Sequence, residues 1–109
     1  MAHEKYQSCI EACQKCAQDC EYCAAACLKE SDVKAMARCI ALDQRCAEIC
    51  ALAARWMAAG SEFAEAICKL CADVCKACGD ECAKHSMMAH CKQCADSCYA
   101  CEKACRAMS

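Results

Sequence analysis

The chain has 109 residues, a formal net charge of −2 from 13 basic and 15 acidic residues, 19 Cys, two Gly and no Pro. Its charges are evenly spread, which excludes a basic tract for nucleic acid and a basic helix face for a membrane surface. No charge-free apolar run approaches the roughly 18 residues of a bilayer-spanning helix, and the length suits one domain, residues 1–109.

Although 60% of residues are nominally apolar, Leu, Ile, Val and Phe together number only 11 (four, four, two and one). The missing bulk must come from Cys and Ala, so the core is expected to be largely sulfur. The N-terminal MAHEKYQS lacks the basic segment and apolar run of an export signal, and a cytosolic location is the expectation.

The first helix is expected over 3–29. Cys9, Cys13, Cys16, Cys20, Cys23 and Cys27 step by four and three, which at 3.6 residues per turn keeps every sulfur on one face. Tyr6 extends that line toward the N-terminus. LKESD breaks the run, with Ser31 or Asp32 as the next N-cap.

The second helix, 33–59, aligns Met36, Cys39, Asp43, Cys46, Cys50, Ala53 and Met57. Asp43 takes an inward step, where a buried carboxylate must be paired or bind a cation. Gly60 suits the C′ position and Ser61 caps a third helix, 61–85. That helix carries Cys68, Cys71, Cys75, Cys78, Cys82 and His85 on one line, with Gly79 off it. After KHSMMAH, a fourth helix over 88–108 carries Cys91, Cys94, Cys98, Cys101 and Cys105.

Four helical units joined by short loops predict an all-α fold, an antiparallel up-down-up-down four-helix bundle with a cysteine-lined core. One end then gathers Leu28, Met36, His85, Met87, Met88 and His90, a soft-donor entrance. The other gathers Tyr6, Trp56, Met57, Phe63, Ile67 and Met108, an apolar plug. Ions are expected to enter near Cys27 and fill toward Cys9.

A disulfide scaffold fits poorly. The Cys count is odd, Gly and Pro are scarce, and neighbours three or four apart on one helix are badly placed for bridging. Thiolates with thioether and imidazole auxiliaries suit Cu(I), zinc or iron–sulfur chemistry. Zinc asks for discrete sets of four ligands, with CxxC pairs on knuckles, and iron–sulfur clusters ask for irregular spacing. An unbroken ladder of sulfur along four helices fits many Cu(I) ions, each held by two or three bridging thiolates. The alternatives kept are a thiol-rich zinc buffer and a disulfide-linked structural or redox bundle. No CxxC pair stands out as an exposed nucleophile, so an enzyme is not expected.

The CxxxCxxCxxxC run of the first helix, CIALDQRCAEIC, CKLCADVCKACGDEC and HCKQCADSCYACEKAC together resemble the bacterial four-helix-bundle copper storage proteins, cytosolic branch, over essentially the whole chain. The resemblance implies multiple Cu(I) ions along the interior, storage or detoxification in the bacterial cytoplasm, and a homotetramer; a copper chaperone is a candidate partner. It implies a carboxylate near copper at Asp43 and a histidine-containing mouth at His85 and His90. SMM between those histidines departs from more histidine-rich relatives and shifts weight to Met87 and Met88.

Overall fold

The computed structural model describes residues 2–108. A short helix α1 (Ala2–Lys5) leads into α2 (Gln7–Cys27); a 3-10 turn (Val33–Met36) precedes α3 (Ala37–Ala58); α4 (Ala64–Ala83) and α5 (Ala89–Arg106) follow. Helix α2 packs on α3 and α5, and α4 packs on the same two, so consecutive helices run antiparallel and the ring closes between first and last. The bundle measures 48 × 17 × 17 Å, long and narrow because small side chains let the helices approach closely.

The helix ends differ from the sequence expectation for local reasons. The first helix is interrupted at Tyr6, whose φ of −101° and ψ of 3° are not helical. The second begins as a tight turn: the Asp32 carboxylate accepts from the Ala35 amide at 3.3 Å and draws 33–36 into 3-10 geometry. Ser61 Oγ accepts from the Phe63 amide at 3.1 Å, making a turn that delays the third helix to Ala64. The fourth starts at Ala89 because Met88 is extended, with ψ at 125°. The long helices end at Cys27, Ala58, Ala83 and Arg106, each earlier than its expected end. Gly60 adopts φ of 67°, the left-handed conformation that ends α3.

All nineteen cysteines are buried and free, and with Met36, Met57, Ala53, Ala64 and Ala72 they form one continuous core. At Gly79, α4 lies tightly against Tyr99 and Cys98 of α5. A Cβ there would sit 2.8 Å from Tyr99 Cε1 and 3.2 Å from Cys98 Cβ, so the position admits only hydrogen without a shift. The Tyr99 hydroxyl, laid over that gap, donates to Asp80 at 2.6 Å.

The apolar plug is corrected at two of its six residues; Tyr6 and Met108 pack against the core. Met57 and Ile67 are buried, but Trp56 is 36% and Phe63 57% exposed, their rings 6.4 Å apart. Trp56 lies one residue, about 100°, from the inward Met57. It joins Ile49 and Leu52 on an outer stripe of α3, facing Phe63, Ile67, Leu70 and Val74 across an apolar groove.

Candidate metal centre

Each long helix contributes one line of thiols, and the four lines meet on the bundle axis. Sulfur–sulfur distances of 3.4–4.0 Å link them into a continuous column. At the α2 N-terminal end Cys9 and Cys13 lie 3.7 and 3.8 Å from Cys105, and Cys101 donates to Cys13 at 3.5 Å. Cys68 donates to the Met57 thioether at 3.5 Å, so that methionine faces the column. In the middle, Cys16 meets Cys46 and Cys98, Cys50 meets Cys71, Cys75 and Cys101, and Cys94 donates to Cys20.

Several sets of four sulfurs have all their atoms within 4.8 Å of one another. These include Cys13/Cys71/Cys101/Cys105, Cys16/Cys46/Cys50/Cys75, Cys16/Cys20/Cys46/Cys98 and Cys20/Cys78/Cys94/Cys98. Cys16, Cys20, Cys46 and Cys98 each belong to two of them. Shared sulfur is what bridging requires.

Asp43 is wholly buried within the column. Its Oδ1 accepts from Cys78 at 3.1 Å, Cys94 at 3.3 Å and Cys82 at 3.4 Å, and its Oδ2 faces Cys39 at 3.8 Å. Burial, which strips water from the charged form, pushes this carboxyl up to about 10, so it is a neutral acid at pH 7 in the metal-free chain. Burial likewise raises the Cys27, Cys68 and Cys91 thiols, the last to about 11. A metal-free core of neutral thiols is the state this interior favours, and a metal ion must displace their protons.

At the opposite end Cys39 and Cys82 approach to 3.4 Å, and Cys27 lies 3.8 Å from Cys91. His90 points its Nδ1 at Cys91, Cys23 and Cys27, at 3.5, 3.7 and 3.8 Å. Its Nε2 is held by Glu30 at 2.9 Å. His85 instead pairs with Glu81 at 3.2 Å, a nearly buried carboxylate that also binds Arg38 and Lys84. Met36 is buried beneath this end, Met88 packs against the core, and Met87 stands 90% exposed.

Sequence reasoning missed Glu30 and Glu81. Glu81 lies four residues before His85, a spacing that could have found it. Glu30 lies 60 residues from His90 and is visible only once the helix ends are paired.

The copper storage protein family model matches residues 2–109. The cysteine-rich protein YhjQ of Bacillus subtilis is 48% identical over 107 residues, 97% of this chain and 98% of its own. The Cu(I)-bound copper storage protein BsCsp3, from Bacillus subtilis, is 48% identical with a TM-score of 0.89, over 94% of this chain and 95% of that one. A cytosolic copper storage protein from Streptomyces lividans, solved with five coppers, is 41% identical with a TM-score of 0.93, over 98% and 93%. The chain belongs to the copper storage protein family.

Proposed function

We propose that the chain stores Cu(I) in the bacterial cytoplasm, holding many ions as thiolate-bridged clusters and buffering the cell against free copper. One observation carries the reading: nineteen buried, unpaired thiols joined into a single column with overlapping donor sets. A soft monovalent ion bound by two or three sulfurs uses such a column fully, since each thiolate serves two ions. The ligands are the nineteen cysteines, with Asp43 at mid-column and His90 at the mouth. Storage calls for no turnover, and no catalytic role is assigned.

The same reading includes a homotetramer. Its support within the chain is the outer α3–α4 groove of Ile49, Leu52, Trp56, Phe63, Leu70 and Val74, bordered by Arg45 and Glu48, where a second copy can bury apolar surface.

The deciding experiment is anaerobic titration of reduced protein with Cu(I) against a chromophoric chelator, followed by elemental analysis. A capacity approaching the thiol count is expected. Saturation at about four or five ions, as discrete tetrahedral sites would give, overturns the reading.

A further inference from the structure

The mouth of the column differs in kind from its interior. Cys23, Cys27 and Cys91 are joined there by a nitrogen donor, and the three Sγ atoms and His90 Nδ1 all lie within 4.8 Å of one another. Three sulfurs and one imidazole at that separation form the donor set of a closed tetrahedral zinc site. The histidine is already oriented for it. Glu30 accepts from Nε2 at 2.9 Å, which places the proton on Nε2 and leaves the Nδ1 lone pair facing the thiols. A carboxylate behind a ligating histidine fixes the ring and raises its basicity, the arrangement that supports zinc-bound imidazole.

Charge favours a divalent ion at this position. Three thiolates beside the Glu30 carboxylate sum to four negative charges, of which a monovalent ion offsets one and a divalent ion two. The imidazole nitrogen, harder than sulfur, adds more to zinc than to Cu(I). The site opens to solvent through His90 and Glu30, whose side chains are 13% and 34% exposed, while its three cysteines are as buried as those of the interior.

We propose that Cys23, Cys27, Cys91 and His90 form a discrete site for one zinc ion per chain at the mouth of the thiol column, with Glu30 as its positioning residue. Binding is a ligand exchange without redox change: Zn(II) takes three thiolates and the neutral imidazole, and three protons leave to solvent. The site goes beyond copper storage but shares its donors, since the same three cysteines and His90 serve Cu(I) at the mouth when copper fills the column. A zinc ion there stands across the way into the column, so zinc-loaded protein takes up Cu(I) more slowly than metal-free protein.

The test is anaerobic titration of the reduced full chain with Zn(II) against a chromophoric chelator, repeated with Co(II) to read the coordination from its visible spectrum. One tight equivalent per chain with a tetrahedral sulfur–nitrogen cobalt spectrum is expected. His90→Ala removes that equivalent, His90→Cys restores it with an all-sulfur spectrum, and Glu30→Gln weakens it by roughly 10–100-fold. Circular dichroism, measured on every variant, establishes that each is folded. Absence of a tight equivalent overturns the proposal, as does zinc binding that His90→Ala leaves unchanged. The two readings fail separately: near-thiol-count Cu(I) capacity without tight zinc removes only the mouth site, and tight zinc with low Cu(I) capacity removes only storage.

Discussion

Cys78 on α4 donates to the Oδ1 of Asp43 on α3 at 3.1 Å, in an interior from which water is excluded. The pair joins two helices through a carboxyl group whose proton affinity is raised well above the ordinary range. In the unfolded chain this group titrates near 3.8, in the folded chain near 10. Between those values the folded form holds a proton that the unfolded form releases. Stability from this group is complete below the lower value and is lost as pH rises toward the upper one. Metal-free protein is therefore expected to be more stable at pH 5 than at pH 9, with a slope of up to ~1.4 kcal/mol per pH unit for one proton. Asp43→Asn, which cannot ionise, flattens that slope. Urea denaturation across the range measures both.

Gly79→Ala places a methyl against Tyr99 and Cys98. Relief requires the tyrosine ring to swing out, breaking its bond to Asp80, or α4 and α5 to separate. The overpacking cost of about 1–3 kcal/mol exceeds the ~1 kcal/mol that alanine gains over glycine in a helix. A net loss of about 1 kcal/mol is expected, lowering the thermal midpoint by roughly 4–8 °C. An unchanged or higher midpoint would show that the close approach is not needed.

The four soft-donor side chains at the mouth are not equivalent. His90 faces three thiols, His85 is engaged by Glu81, Met88 packs inward and Met87 projects into solvent. His90→Ala is expected to slow Cu(I) uptake in stopped-flow mixing while leaving final capacity nearly intact. Met87→Ala is expected to change neither. Slow loading in the Met87 variant would return that thioether to the entry path.

Leu70 is 56% exposed beside Trp56 and Phe63 in the α3–α4 groove. If that groove is the contact between copies, Leu70→Glu costs about 2 kcal/mol per interface, roughly thirtyfold in dissociation constant. Sedimentation velocity should show smaller species for the variant, with helical content by circular dichroism unchanged. An unaltered assembly would move the interface elsewhere.

The bundle and its sulfur column were legible because one residue type marks the inward face. Steps of three and four make helices, and cysteine at every step labels the side that is buried. Asp43 was legible for the same reason, as a charged residue on a line of thiols. The outer groove was not. Ile49, Leu52 and Trp56 form a heptad line of their own, as do Phe63, Ile67, Leu70 and Val74, but aromatic bulk reads as core wherever a core must be found. Here sulfur had already filled the interior, so those residues had only the outside to occupy. Helix starts were hidden because a capping side chain, as at Asp32 or Ser61, fixes a turn without saying which turn follows it. Glu30 acts through His90, and only tertiary pairing of α2 with α5 brings them together.

Because Cys16, Cys20, Cys46 and Cys98 each serve two donor sets, no set along mid-column can fill without altering the next. Occupancy then behaves as a one-dimensional lattice with nearest-neighbour coupling. An ion that arrives converts thiols to thiolates that are already half of its neighbour's site, so partly filled chains should bunch their ions into contiguous runs. Capacity in such a lattice scales with the length of the bundle, and a heptad added to all four helices would extend the store without inventing a new site.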